Sequence, residues 1–417
     1  MGDGIRLYAG EFLTHPAGLE LSMNWCGHAC SYCFSNAMKP DRRADLSQIV
    51  GLISNFRHRT TREARLLQAQ VPLLVSNHVD PFAGSNARQF EPIWELLLSQ
   101  QVPITWQTRG AHKPQQAFLE RVIRETPRSV WYISIPMLDD SIRRQVEPQA
   151  PSIDSRLALV DDLIAAGHVV TVGINPLSAE WLPDFRPLVD RLAAAGVWGV
   201  WAEVPYFSKR FKGNLTGAQR TAIGEDFIAD CGERGRAVDR AHATAALAYA
   251  VSLGMQVFST SMEDPSRFFD PYHEVYPRVM PYWHQVINAA DATLEPGDTE
   301  SLALITMAES LQVVEPLPEL DWSEPLRHKR ARRYREITQP YPGGPLPKQD
   351  AAGFWQMAWD DEIFAKSLGL LSYTRMAFAA DIDGDVITPL LDDQGHRIVV
   401  YRREPFPHLY APTPELA

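Results

Sequence analysis

The pattern that most constrains the fold is a regular alternation of short apolar runs and amphipathic segments between about residues 18 and 260. The amphipathic segments carry apolar residues at helical spacing, and several end in a glycine such as Gly167 or Gly196. This alternation predicts βαβ units around a parallel sheet, whose functional residues collect at the carboxyl ends of the strands. The predicted strands are 19–25, 72–77, 103–108, 130–136, 169–175 and 198–204, and the predicted helices are 46–57, 89–100, 115–125, 155–166 and 184–195.

The alternation of apolar runs and amphipathic segments ends at about residue 260, and proline and aromatic residues become frequent after it. Helical patterns are expected over 282–290 and 299–312. Turn signals at Asp383-Gly384 and Gln394-Gly395, flanked by β-rich runs, predict a small meander within 381–404. We therefore predict an α/β domain over residues 1–260 and a C-terminal α+β extension, of unassigned role, over residues 261–417.

The charge balance argues against a protein that binds nucleic acid over its whole surface. The formal net charge is −11, which repels polyanions at long range. One basic segment, 327–335, is the exception, but neighbouring acids dilute it, and a solvated helix or linker is the favoured interpretation. The chain starts without a basic, apolar leader and contains no run of about 18 apolar residues, so we expect a cytoplasmic protein without membrane contact.

Three of the four cysteines lie in one stretch, NWCGHACSYCF, directly after the first predicted strand. Clustered thiols in a reducing compartment more often bind metal than form disulfides. Cys26, Cys30 and Cys33 have the spacing C-x3-C-x2-C, and three thiolates from one loop can hold three irons of a [4Fe–4S] cluster, leaving the fourth iron open. The alternative is a zinc site completed by His28 or a distant histidine, although the usual second C-x2-C pair is absent from the sequence.

This cysteine spacing, with Tyr32 just before the last cysteine, resembles the radical S-adenosylmethionine superfamily. The resemblance covers most of residues 18–205 and looks closest to the spore photoproduct lyase-like branch, also described as DNA repair photolyase-like. It implies a partial (β/α)6 TIM-type barrel over residues 1–260, with a [4Fe–4S] cluster on the three cysteines and S-adenosylmethionine as cosubstrate.

The same resemblance implies an enzyme that receives one electron from an external flavodoxin- or ferredoxin-like donor. The electron cleaves S-adenosylmethionine, and the resulting 5′-deoxyadenosyl radical abstracts a hydrogen atom from a substrate that the sequence does not identify. Repair or modification of nucleic acid, as in the lyase, is one alternative. A non-catalytic zinc- or cluster-containing binding protein, engaging a partner through the basic segment 327–335, is the other.

The branch also supplies expectations for residues at the strand ends. Asp80, in the stretch SNHVDPF, matches an aspartate beside the cosubstrate. Arg109, in WQTRG, stands where the branch has a lysine facing the methionine carboxylate, and its guanidinium can fork onto a carboxylate. Ser134, in VWYISIP, matches a serine that contacts the same cosubstrate.

Two further residues have alternative interpretations. Arg156 lies in EPQAPSIDSRL, which resembles a specific motif of the branch; it serves either as a carboxylate partner or as a helix-surface ion pair with Asp154 or Asp161. The backbone after Asn175 can meet adenine or ribose, or Pro176 simply ends the strand.

One departure from the branch bears on the reaction. The lyase has a hydrogen-donating cysteine three residues before the aspartate of the second strand, and here that position is Asn77. An amide does not donate a hydrogen atom as a thiol does, so dimer repair by that mechanism is disfavoured. The remaining cysteine, Cys231, is expected to be an ordinary buried residue.

Overall fold

The computed structural model describes residues 5–9, 19–23, 26–33, 46–59, 63–64, 67, 72–75, 79–84, 86–232, 235–258 and 270–276, with five short strands between 303 and 401. Its main feature is an eight-stranded sheet. The strands are β1 Ile5–Ala9, β2 Leu19–Met23, β3 Leu73–Val75, β4 Ile104–Thr108, β5 Val130–Ser134, β6 Val169–Ile174, β7 Gly199–Ala202 and β8 Gln256–Phe258.

The strands lie in the sheet in chain order from β1 to β8. Every register from β3 to β8 is parallel, and Tyr132 of β5, for example, lies opposite Gln107 of β4 and Thr171 of β6. Within the described residues, β1 and β8 are the two edges and do not pair with each other, so the sheet stays open. The predicted α/β fold with a partial TIM-type barrel is confirmed.

Helices occupy each connection from β2 onward. They are α1 Leu46–Asn55, α2 Ala87–Ser99, α3 Lys113–Glu125, α4 Asp140–Val146, α5 Ile153–Ala165, α6 Arg186–Ala195, α7 Lys209–Asn214, α8 Gly217–Ile223, α9 Glu225–Asp230 and α10 Ala237–Ser252; a 3-10 turn, Phe56–His58, follows α1. Local chemistry fixes several ends. Ser152 accepts a hydrogen bond from the backbone of Ser155 at the start of α5, and Gly196 takes a left-handed conformation after α6.

The six predicted strands and five predicted helices are all present, with bounds that differ by a few residues. Strands β1 and β8 and the helices α4 and α7 to α10 are additional. Helix α4 lacks a wide apolar stripe, because Val146 and the arginine Arg143 are its buried residues, so hydrophobic periodicity does not reveal it.

Aromatic side chains fill the core between the sheet and helix α2. The rings of Trp106 and Trp131, on adjacent strands, stack with centroids 4.7 Å apart and an interplanar angle of 11°. Phe82 stacks on Trp106, and Phe90 of α2 meets it edge-on. These side chains are fully buried, so this layer anchors strands β4 and β5, whose ends carry the site described below.

The other face of the sheet has a close contact between neighbouring strands. Tyr132 of β5 lies over Gly173 of β6, and a Cβ atom at position 173 would come within 1.8 Å of the tyrosine hydroxyl oxygen. The tyrosine is buried. Position 173 therefore requires glycine for lack of space.

The chain divides into two compact units. The first comprises Met1–Tyr8, Glu20–Asn55 and Leu73–Ser259, and the second comprises Ala9–Leu19, Phe56–Pro72 and Thr260–Ala417. A division into domains 1–260 and 261–417 remains a prediction. The second unit contains the helix α11 Asp270–Val275 and the strands β9 Ala303–Thr306, β10 Met376–Phe378, β11 Ala380–Asp383, β12 Val386–Pro389 and β13 Ile398–Tyr401.

Two expectations for the C-terminal part need correction. The helix predicted over 299–312 is wrong where the structure describes it, because Ala303–Thr306 is a strand paired antiparallel with Ile398–Tyr401. A short apolar run fits either state, and here a distant partner decides it. The meander is right only in its first half. Strands β11 and β12 form an antiparallel hairpin, whereas β13 joins a separate sheet with β9 and β10.

The segments 282–290 and 327–335 lie outside the described residues. In the part of the chain that the structure describes, no helix has the length and apolar character needed to cross a membrane.

The contact over Gly173 gives a first prediction. Gly173→Ala should lower the free energy of unfolding by about 1–3 kcal/mol, because the added methyl group overpacks a rigid ring. Urea unfolding of the purified protein measures this. Gly213→Ala in α7 is the control, since a Cβ there has no atom within 4 Å and alanine favours a helix. Equal stability of Gly173→Ala and the wild type would contradict the packing described here.

Candidate functional site

The cysteine loop, defined here as residues 26–33, follows β2 and carries the three clustered thiols. Cys30 is buried, and Cys26 and Cys33 are partly exposed. Burial, and then the charge of Asp80, raises the pKa of the Cys26 thiol to about 12, with a smaller contribution from Cys33. Burial also raises the pKa of Cys30 well above its ordinary value, and the other two cysteines add to that rise. The three thiols are therefore close enough to interact electrostatically.

Backbone groups act against this rise at Cys26. The backbone N–H groups of His28 and Asp80 favour the thiolate and lower the pKa of the Cys26 thiol. Ala29 has a φ of 53°, in the left-handed region that residues other than glycine rarely adopt. Such strain persists only where surrounding structure holds the chain in place.

The donors that the site offers to a metal or cluster are the three cysteine thiols of the loop. Among the described residues, no group of three or more histidine, cysteine, aspartate or glutamate side chains is arranged to hold a metal ion. Three cysteine thiolates on one short loop are nevertheless the donors that an iron–sulfur cluster uses, and each would bind a different iron atom. With N–H donors to the Cys26 sulfur, the donor chemistry of this loop fits a [4Fe–4S] cluster.

Asp80 connects the cysteine loop to the ends of two strands. Its carboxylate lies 3.0 Å from Nε2 of His28 and accepts hydrogen bonds from the Thr108 hydroxyl at 2.9 Å and the Arg109 backbone at 2.7 Å. The Phe82 backbone donates a further bond at 2.9 Å. Burial alone would raise the pKa of Asp80, but His28 and the backbone donors bring it below its ordinary value. The carboxylate is thus an ionised anchor whose main partners belong to the protein.

A second buried carboxylate, Glu147, follows α4. Arg156 donates to its Oε2 and Tyr32 donates its hydroxyl proton to Oε1, while Nε of Arg109 lies 3.1 Å from Oε1. Neither the Glu147 nor the Arg156 side chain is exposed. Burial opposes ionisation of Glu147, but the two guanidinium groups outweigh it and lower its pKa to about 2. This ion-pair network joins four parts of the chain: the cysteine loop, the end of β4, the residue after α4 and helix α5.

The structure corrects one interpretation of Arg156. It is not a helix-surface ion pair, since its side chain is fully buried on the inner face of α5. It donates to the carbonyl oxygens of Ser134 at 3.2 Å and Pro151 at 3.1 Å, in addition to Glu147. Asp161, one of the expected surface partners, pairs with Arg191 instead. Arg156 is the partner of a protein carboxylate, Glu147, and a contact between Arg156 and the cosubstrate stays a prediction.

Arg109 is shared between the network and the surface. Its side chain is 22% exposed, and its Nη2 lies 3.4 Å from the Tyr32 hydroxyl. Its Nη1 has no hydrogen-bond partner among the described residues. One edge of this guanidinium therefore remains available to a ligand.

Ser134 and Asn175 lie together where β5 and β6 end. The Ser134 hydroxyl donates to the Asn175 carbonyl oxygen at 3.4 Å. Strand β6 ends at Ile174, just before Asn175, and the Asn175–Pro176 peptide bond is cis.

Sequence reasoning missed two anchors and interpreted a third differently. Glu147 and Thr108 lie within quoted motifs, but their roles depend on partners far away in the chain. His28 was considered as a zinc ligand, whereas its Nδ1 lies 3.2 Å from the Gln149 carbonyl oxygen and its Nε2 faces Asp80. Cys231 is buried as expected, and its thiol donates to the Pro205 carbonyl oxygen at 3.0 Å. Asn77 lies outside the described residues.

No protein-family model matches the chain. Uncharacterized proteins of Mycobacterium tuberculosis and Mycobacterium bovis are each 25% identical to it over 189 residues, covering 42% of this chain and 54% of theirs. The chain thus spans about half the length of the curated relatives it matches.

Three solved structures illustrate the structural likeness. Streptococcus suis SuiB bound to S-adenosylmethionine has a TM-score of 0.38 and 13% identity, covering 62% of this chain and 51% of SuiB. Spore photoproduct lyase complexed with dinucleoside spore photoproduct has a TM-score of 0.44 and 13% identity, covering 61% and 79%. Methylornithine synthase has a TM-score of 0.32 and 12% identity, covering 57% and 68%.

The ion-pair network yields a stability prediction. Arg156→Met should lower the free energy of unfolding at neutral pH by about 3–5 kcal/mol, because it removes the main partner of a buried carboxylate. Arg191→Met, which breaks the exposed pair with Asp161, is the control and should change stability by about 1 kcal/mol or less. Chemical denaturation followed by circular dichroism compares them. If both variants lost the same small amount, the Glu147 network would not be the anchor described here.

Proposed function

We propose that this chain is a radical S-adenosylmethionine enzyme whose [4Fe–4S] cluster is held by Cys26, Cys30 and Cys33. The observation that carries the proposal is the cysteine loop itself: three thiols on one loop after a barrel strand. Asp80 and Glu147 connect this loop to the ends of the following strands. Residues at the carboxyl ends of parallel strands are where ligands bind in folds of this class.

A [4Fe–4S] cluster held by Cys26, Cys30 and Cys33 would supply one-electron reduction of S-adenosylmethionine to methionine and a 5′-deoxyadenosyl radical, with the electron drawn from an external flavodoxin- or ferredoxin-like donor. The chain's own residues bind and orient the cosubstrate and exclude water from the site. The available edge of the Arg109 guanidinium is suited to the methionine carboxylate of the cosubstrate. Ser134 and Asn175 offer further polar contacts at the neighbouring strand ends.

The remaining motif residues have supporting roles in this proposal. Asp80 holds the Thr108 hydroxyl and the Arg109 backbone, which fixes the start of the Arg109 side chain. Tyr32 and Arg156 neutralise Glu147 beside it. The cosubstrate site is therefore expected to be formed before ligand binding.

Two features of the sequence bear on the class of substrate. The thiol that the lyase reaction uses is replaced in sequence by Asn77, and the net charge of −11 gives no electrostatic attraction to duplex DNA. Hydrogen-atom abstraction from a substrate other than a DNA lesion is therefore the favoured reaction, with nucleic acid as the second choice.

The test is made anaerobically on reconstituted full-length protein. Wild-type protein should bind about four irons per chain and release 5′-deoxyadenosine from S-adenosylmethionine with dithionite. Alanine at Cys26, Cys30 and Cys33 together should abolish both, whereas Cys231→Ala, at a buried cysteine outside the cluster site, should retain both. Tightly bound zinc without nucleoside release in the wild type would reject the proposal and favour a binding protein.

The cosubstrate contacts have their own prediction. Arg109→Gln and Ser134→Ala should weaken S-adenosylmethionine binding about 10-fold or more while leaving the iron content unchanged, because they remove a positive charge and a hydroxyl but no thiol. Equilibrium binding to the reconstituted protein measures the affinity. Arg124→Gln, at an exposed arginine on α3, is the control. Unchanged affinity in both site variants would place the cosubstrate elsewhere.

A further inference from the structure

The cysteine loop is attached to one short stretch of the chain, residues 146–149, which we call the 146–149 segment. Two backbone hydrogen bonds join them: Ser31 N–H to the Val146 carbonyl at 2.7 Å, and Gln149 N–H to the His28 carbonyl at 3.1 Å. Ser31 and His28 each lie between two cysteines in the sequence. The path of the loop backbone between its thiols therefore follows the position of this segment.

Side chains add two bonds between the same partners. Nδ1 of His28 lies 3.2 Å from the Gln149 carbonyl oxygen, and the Tyr32 hydroxyl donates to the Glu147 carboxylate. With the backbone bonds, four contacts link the loop and the segment. The loop also contains Ala29 in a left-handed conformation, so it needs outside support to keep its shape.

Arg143 of helix α4 is placed to hold the 146–149 segment. Its side chain is 9% exposed, and its Nη1 donates to the carbonyl oxygens of Glu147 at 3.2 Å and Ala150 at 2.9 Å. Its Nε and Nη2 donate to the Asp140 carboxylate at 2.7 and 3.1 Å. One guanidinium group thus connects the start of α4 to both ends of the turn that follows it.

This arrangement depends on the shape of the arginine side chain. A guanidinium presents donors in a fixed fork, so it reaches a carboxylate and two carbonyl groups at once, whereas a lysine ammonium is a single point on a flexible stem. The neighbouring Arg144 pairs with the same Asp140, but its side chain is 63% exposed and donates to no carbonyl of the segment. The two arginines differ in what they hold.

We propose that Arg143 is a positioning residue for the iron–sulfur site, acting through the 146–149 segment to fix the geometry of the cysteine loop. This inference rests on the proposed function for the identity of the bound group, but the ordering of the loop is independent of it. Replacing a residue that orients metal ligands without binding the metal itself typically lowers metal affinity or activity about 10- to 100-fold.

The first experiment measures loop order without any cluster. Cluster-free, reduced protein is alkylated with iodoacetamide, and mass spectrometry follows each cysteine over time. In Arg143→Met, Cys30 should react about 10-fold faster than in the wild type, because the loop that buries it is loosened. Cys231, buried in another part of the first unit, should react at the wild-type rate and serves as an internal reference. Arg144→Met is the matched control and should leave both rates unchanged.

Two results of the alkylation experiment would overturn the inference. An unchanged Cys30 rate in Arg143→Met overturns the inference, and so does an equal rise at Cys30 and Cys231, since that reports general unfolding. Arg143→Lys is prepared in parallel and covers a Met variant that does not fold. The Arg143→Lys variant keeps the positive charge but lacks the forked donors of the guanidinium. It should also raise the alkylation rate of Cys30 selectively.

The second experiment tests the link to the bound group. Reconstituted wild type, Arg143→Met and Arg144→Met are mixed with excess EDTA, and loss of the visible iron–sulfide absorption is followed. Iron release should be about 10-fold faster for Arg143→Met alone. Equal release rates overturn the role at the iron site. A wild type that takes up no iron rejects the proposed function, while the alkylation result still decides whether Arg143 orders the loop.

Discussion

The ion pairing of one buried carboxylate supports much of this structure. Glu147 is fully buried and ionised, which is tolerable only because Arg156 and Arg109 neutralise it and Tyr32 donates to it. These partners come from the cysteine loop, the end of β4 and helix α5. A carboxylate with partners on three elements constrains their separations more tightly than apolar contacts do, because each hydrogen bond specifies both a distance and a direction.

Asp80 is also a buried, ionised carboxylate, but different groups stabilise its charge. Its partners among the described residues are His28, a threonine hydroxyl and two backbone N–H groups, with no arginine side chain among them. Both carboxylates fasten the cysteine loop, Asp80 through His28 and Glu147 through Tyr32. The loop is therefore held on two sides by charged groups, and both sets of contacts converge on Arg109, through its backbone and its guanidinium. This residue couples the cysteine loop to the barrel mouth.

The sequence predicts the barrel well because parallel strands and their helices leave a strong local pattern. It fails where a distant partner decides the outcome. The run at Ala303–Thr306 is compatible with a helix until it meets Ile398–Tyr401, and Arg156 resembles a surface helix residue until Glu147 is placed behind it. Helix α4 is missed because its buried positions include Arg143, a residue that periodicity counts as polar. The cysteine spacing predicts a donor set, but the supports of that set are unrecognisable without the fold.

These supports change how the motif EPQAPSIDSRL is understood. Two of its charged residues, Glu147 and Arg156, pair with each other inside the protein, and its backbone at Gln149 bonds to the cysteine loop. The motif therefore specifies how the cysteine loop is held. Under the proposed function, the choice of substrate then depends on residues that the anchors leave exposed at the strand ends, such as Tyr206 after β7, which is 54% exposed.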